Sequence, residues 1–285
     1  LCNPSLGRHL SLRTLRNEAR EAQRSEAGEK LFRWLRLNQW ISVKGVGWLP
    51  ITLYDKTQWG PSSMKERAAW LEKLKGLICC GGVALPSTKD LTAFVLLFPP
   101  QPGLETAVWL PHIWHSGADI ETAEKQDHAL YRDWERAGFL TICEGGTIDF
   151  EDVERTIAEA RELYDLRMVG FDPYLSRTIT QRLMPIVPCI EVPQDMKNMS
   201  PAVKEIEDGM INHTMLQVHN TCDRWSFGNV LMYVDGNENK KPIKKKSRGR
   251  IDPPVATIIA VAVWMIARNQ TPSVADAIDS GTFGM

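Results

Sequence analysis

Three apolar segments, Leu77–Leu85, Thr92–Phe98 and Thr106–Trp114, follow one another with only short turns between them, and this run constrains the fold more than any other feature. Each is short, rich in β-branched, aromatic or other apolar residues, and bounded by Gly, Pro, Ser or Asp. The spacing therefore predicts a three-stranded antiparallel meander. Pro86-Ser87-Thr88-Lys89-Asp90 makes the first turn and Pro99-Pro100-Gln101-Pro102-Gly103 the second loop. A bare meander needs cover, and the following pattern supplies it. Helices are expected at Glu121–Ala137, Glu151–Tyr164, Ser176–Leu183 and Pro201–Ile211, alternating with strands at Phe139–Cys143, Arg167–Phe171 and Ile186–Val192. Three strands followed by this alternation predict an α/β fold with a mixed sheet flanked by helices.

Upstream, Ser11 is placed to cap a helix to Gln23 with Leu12, Leu15, Ala19 and Ala22 on one face, and Ser25 a second to Asn38. Gly45 to Pro50 reads as an irregular connection and Met64–Leu74 as a further amphipathic helix. Three regions result: a helical linker at 1–75, the α/β domain at 76–270 and a tail at 271–285.

The 34 basic and 35 acidic residues nearly cancel, so any nucleic-acid signal must come from where the charges lie. They are unevenly placed. Lys240, Lys241, Lys244, Lys245, Lys246, Arg248 and Arg250 put seven cations into eleven residues with no acid among them, just after the hairpin-like turn Tyr233-Val234-Asp235-Gly236-Asn237. Such a run is either a solvated loop or a phosphate-binding surface, to which Ser247 would add a neutral contact. The six cysteines form no Cys-x-x-Cys pair and read as buried reduced thiols. The apolar run Pro253–Ala267 falls short of the ~18 residues of a membrane helix and reads as a core helix. His213 and His219 flank a loop between expected helices, where a structural role is the simpler reading.

Two acids stand where strands or helices end. Asp172 closes the apolar strand Met168–Phe171, and Pro173 biases it toward an extended backbone at the sheet edge. Asp252 precedes Pro253 at the start of the core helix, which is also an N-cap signature. Each therefore reads either as a cap or as a metal ligand. Asp90 opens the second strand and balances Lys89 or approaches the same site. Carboxylates on rigid strand ends and a helix start are what two-ion phosphodiester hydrolysis requires.

Asn3-Pro4-Ser5-Leu6-Gly7, Phe32-x-x-Leu35-x-Leu37-Asn38-Gln39-Trp40, Ser87-x-x-Asp90-Leu91-Thr92-Ala93, Gly170-Phe171-Asp172 and Lys244-x-Lys246-Ser247-x-x-x-Ile251-Asp252-x-x-x-Ala256 occur in an order that resembles the large subunits of tailed-phage terminases. The resemblance covers nearly the whole chain. It implies a ribonuclease H-like nuclease domain in which the first strand ends Gly-x-Asp-Leu or similar. Here Ala84 stands where that Asp would be.

The resemblance further implies an endonuclease that cuts concatemeric double-stranded DNA. Asp172 and Asp252, with Asp90 as a further ligand, would hold two Mg²⁺ or Mn²⁺ ions, the run from Lys240 to Arg250 would meet DNA, and Ala84 would impair cutting. Expected partners are a small terminase subunit, the capsid portal and an ATPase domain of the same full-length chain. That domain is expected to precede Leu1, since no Gly-x-x-x-x-Gly-Lys-Ser/Thr loop is present. The expected setting is host cytoplasm, away from membranes. The alternatives are a DNA-binding regulatory or structural module that has lost catalysis, and a resolvase-like nuclease.

Overall fold

The computed structural model describes residues 11–22, 32–33, 36–37, 46–85, 91–173, 177–244, 247 and 249–270. It divides into two units, 1–46 and 47–285. In the first, α1 (Leu12–Ala22) begins where Ser11 Oγ accepts from the Thr14 amide at 3.0 Å. Leu15, Ala19 and Ala22 are half-buried, and Leu12 is exposed. Most of the expected helix from Ser25 to Asn38 lies outside the described residues.

The second unit begins with α2 (Ile51–Lys56), β1 (Gln58–Trp59) and α3 (Met64–Leu71). The expected meander follows as β2 (Ile78–Ala84), β3 (Thr92–Phe98) and β4 (Ala107–Ser116). Then come α4 (Ile120–Asp127), α5 (Tyr131–Arg136), β5 (Thr141–Cys143), α6 (Phe150–Leu163), β6 (Asp165–Phe171), α7 (Arg177–Leu183) and β7 (Cys189–Glu191). The chain continues through α8 (Met196–Ile211), β8 (Met215–Val218), α9 (Thr221–Asn229), the hairpin β9 (Leu231–Val234) and β10 (Lys240–Pro242), and α10 (Asp252–Gln270).

The main sheet runs β1-β8-β4-β3-β2-β6-β7, with β5 paired to β4. Strand β3 pairs antiparallel with both β2 and β4, and every other pairing in this sheet is parallel. This is the mixed α/β sheet expected from the sequence. All seven residues of β3 are buried, because the central strand is covered on both faces and its apolar run cannot alternate. One face packs Ala84, Ala93, Val95, Leu97 and Trp109 against α8 and α10. The other packs Val83, Phe94, Leu96, Phe98 and Phe171 against Val153 and Ile157 of α6.

Several expected elements differ. The helix from Glu121 to Ala137 is two helices, because His128 takes a left-handed conformation (φ 50°) that ends α4 and lets Tyr131 and Trp134 turn into a separate apolar cluster. Helix α8 starts at Met196 rather than Pro201, since the Asp195 carboxylate accepts from the Asn198 amide at 2.9 Å and caps the turn before the proline. Between His213 and His219 lies strand β8, not a loop joining two helices. Among the described residues no helix is long and apolar enough to cross a membrane, and Pro253–Val263 of α10 is buried core.

Candidate functional site

Strands β2 and β6 run parallel with Gly82 opposite Gly170 and Val83 opposite Phe171. The pairing ends there: Ala84 is the last residue of β2, and Asp172 lies one residue beyond β6. The two glycines show which face α10 covers. A Cβ on Gly82 would stand 2.2 Å from the Ala256 carbonyl oxygen, and one on Gly170 would stand 2.4 Å from Val263 Cγ2, so α10 lies directly on both strands. Side chains repeat with period two along a strand, which puts Ala84, two residues after Gly82, on the α10 side as well. Ala84 belongs to the same apolar cluster as Ile251, Val255 and Ala256. Asp252 opens α10 one turn before Ala256. Ala84 and Asp252 therefore lie on elements packed against one another, and Asp172 follows the strand paired with the one that Ala84 ends.

Their environments differ. Ala84 is fully buried and its methyl offers no donor atom. Asp172 is half-buried just beyond β6. Asp252 is only 2% exposed, and Lys244 Nζ approaches its Oδ1 at 2.9 Å. Asp90 lies outside the described residues. Among the described residues no group of three or more His, Cys, Asp and Glu side chains is arranged to hold a metal ion.

The segment before α10 is tied down at both ends. Lys240 Nζ bonds both carboxylate oxygens of Glu207 in α8, at 3.0 and 2.8 Å, and Lys241 Nζ donates to the Gln194 carbonyl. Arg250 Nε donates to Asp127 Oδ2 at the end of α4, at 3.0 Å. Ser247 Oγ donates to the Ile243 carbonyl and accepts from the Leu231 amide. Gly249 passes so close to α9 that a Cβ there would lie 2.6 Å from Asn229 Nδ2. The basic run thus differs from the uniformly solvated surface its composition suggests: Lys240, Lys241, Lys244 and Arg250 each hold a group of the fold. Lys245, Lys246 and Arg248 lie outside the described residues.

The two histidines do not form a site together. His213 is exposed in the turn after α8, whereas His219 Nδ1 meets Gln58 Oε1 at 3.0 Å beside β1. Cys79, Cys80, Cys143 and Cys222 are buried free thiols as the sequence reading expects, Cys189 is only half-buried, and Cys2 lies outside the described residues.

One polar centre escaped the sequence reading. Asp223 is fully buried in α9, with Tyr54 Oη donating to its Oδ2 at 2.7 Å and Trp109 Nε1 donating at 3.2 Å. Burial raises its pKa to about 6 against the lowering effect of those two donors. An aspartate in the first turn of a short helix carries no sequence sign that tertiary packing will enclose it.

The endonuclease-domain family of the terminase large subunit matches residues 1–269. The chain is 29% identical over 271 residues to the terminase large subunit of Enterobacteria phage HK97, covering 91% of this chain and 49% of that protein. Protein YmfN of Escherichia coli (strain K12) is 22% identical over 290 residues, covering 98% of this chain and 61% of that protein. The crystal structure of the HK97 bacteriophage large terminase matches with a TM-score of 0.66 at 25% identity, over 92% of this chain and 52% of that one. The chain spans about half the length of the HK97 protein and three fifths of YmfN.

Proposed function

The chain belongs to the family of terminase large subunit endonuclease domains, and from that premise we propose that it is a metal-dependent endonuclease domain acting on double-stranded, concatemeric viral DNA, with cutting impaired by Ala84. The observation that supports this reading is the pairing of β2 with β6, which lead to Ala84 and Asp172 and pack against the helix that Asp252 opens. Asp172 and Asp252 are the carboxylates we assign to the centre, with Asp90 as a further candidate. Ala84 is the position from which a carboxylate is missing.

Bound Mg²⁺ or Mn²⁺ would supply an activated water and charge stabilisation at a scissile phosphate. Among the described residues the donor set does not fit a two-ion centre. A methyl supplies no ligand, Asp252 already faces an ammonium group, and no metal-holding group of three is formed among the described residues. What these residues retain is position: Asp172 at a strand end, Asp252 at a helix start, and a basic segment leading to it. Lys245, Lys246 and Arg248 are the cations of that segment we assign to DNA phosphates, while Lys240, Lys241, Ser247 and Arg250 hold the segment in shape. The family further suggests an ATPase domain in the same full-length chain, a small terminase subunit and the capsid portal as partners, in host cytoplasm.

A DNA-binding module without catalysis is the second reading, favoured by Ala84 and by the ammonium on Asp252. The two are separated in the Ala84→Asp protein. There Asp172→Asn and Asp252→Asn should each abolish Mn²⁺-dependent plasmid cutting while leaving duplex binding intact. Cutting that survives both substitutions would remove the assigned residues from the centre.

A further inference from the structure

We propose that Lys244 is the resident cation of this centre, its ammonium group neutralising Asp252 and competing with divalent ions for that carboxylate; the proposal rests on reading Asp252 as a carboxylate of the nuclease centre. A carboxylate only 2% exposed is costly to keep ionised without a close donor, and Lys244 Nζ, a charged one, stands 2.9 Å from Oδ1. The lysine itself is reached by solvent, with 34% of its side chain exposed, so its ammonium has somewhere to go when another cation takes its place.

The anchors on either side make this contact a feature of the fold. Lys240 is held by Glu207 of α8, and Arg250 by Asp127 of α4. Lys244 hangs between these fixed points. The acids held by the two anchors lie on α8 and α4, outside the proposed centre, whereas the acid held by Lys244 opens α10.

Charge arithmetic points the same way. Adding a carboxylate at position 84 and removing the Lys244 charge would each make this region one unit more negative. A divalent ion entering the present centre meets both a missing ligand and a competing cation. Restoring the carboxylate therefore recovers only part of the affinity for metal, and the lysine withholds the rest.

The test titrates Mn²⁺ by calorimetry into this chain, A84D, K244M and A84D/K244M, with melting temperatures recorded in parallel. Met keeps the aliphatic stem and removes the charge. In the A84D background, K244M should tighten Mn²⁺ binding by about tenfold or more, the scale of losing a group that supports a ligand. Without metal, K244M should melt below its parent, and saturating Mn²⁺ should recover the difference. Lys244→Arg in the A84D background, which preserves a cation, should retain the weaker Mn²⁺ affinity. A lysine with a purely structural role would lower the melting temperature and leave Mn²⁺ affinity unchanged. Equal affinity in A84D and A84D/K244M, or tight binding by the Arg variant, overturns the proposal and leaves the nuclease centre standing. No Mn²⁺ binding by any variant overturns both.

Discussion

Replacing Asp223 by Asn tests the buried polar centre, because the structure gives the sign of the effect and its order of magnitude. The carboxyl is fully buried, and its pKa rises from 3.8 to about 6, with burial the largest cause. The folded state therefore binds more protons than the unfolded chain between those values. Stability is greatest below about pH 4 as far as this group is concerned, falls as pH rises through about 6, and is level above that. A shift of about two units corresponds to roughly 3 kcal/mol at 1.36 kcal/mol per unit. Asn cannot ionise, yet its carbonyl still accepts from Tyr54 and Trp109. In urea unfolding followed by tryptophan fluorescence between pH 4 and 8, Asp223→Asn should remove this downward slope and gain up to about 3 kcal/mol over the parent at pH 8. Tyr54→Phe should do the reverse: losing a donor that lowers the pKa extends the fall above pH 6. A parent whose stability does not decline over that range beyond what Asp223→Asn shows, or an Asn variant weaker than the parent at pH 8, would refute the reasoning.

Three further outcomes are expected. Gly82→Ala should destabilise the domain by about 3 kcal/mol or more in urea titration, since its Cβ would meet the backbone of α10 at 2.2 and 2.4 Å and neither contact can yield by a side-chain rotation. Replacing Lys245 and Lys246 by Ala should weaken binding to duplex DNA of any sequence and lower the log–log salt slope by roughly one for each lysine. Lys240→Ala and Arg250→Ala should instead lower the melting temperature with little change in that slope, because their charges are spent on Glu207 and Asp127.

The sheet was legible in the sequence where strands are buried on both faces. β3 and β4 announce themselves as continuous apolar runs between Pro- and Gly-rich turns, and α10 as an apolar run opened by Asp-Pro-Pro. Short elements whose existence depends on partners were not. Gln58–Trp59 becomes a strand only by pairing with Gln217 and Val218, and neither pair has the length or alternation to declare itself. Helix α9 owes its start to Asn220, whose side chain accepts from the amides of Cys222 and Asp223, a cap that a short polar sequence does not distinguish from a turn. Helix α4 ends at His128 by a left-handed residue that carries no glycine to mark it.

The same division runs through the candidate site. Strand ends, a helix start and the resemblance point to Ala84, Asp172 and Asp252, and the strands that lead to the first two pair side by side. The charge run was legible as a run, but not its internal use. Glu207, Asp127 and Asp252 are 33, 123 and 8 residues from the cations they hold, so only the fold pairs them. Asp223 was invisible for the same reason, its two donors lying 169 and 114 residues away.

The most direct test of the central claim is the rate at which supercoiled plasmid is nicked or linearised by this chain and by its Ala84→Asp variant, side by side, in Mn²⁺ and in EDTA. A centre lacking one carboxylate predicts that the variant cuts in Mn²⁺ and not in EDTA, and that the present chain is slower by about 100-fold or more. Equal rates for the two proteins in Mn²⁺, with Asp90→Ala abolishing both, would contradict the assignment of Ala84 and move the missing ligand's role to Asp90.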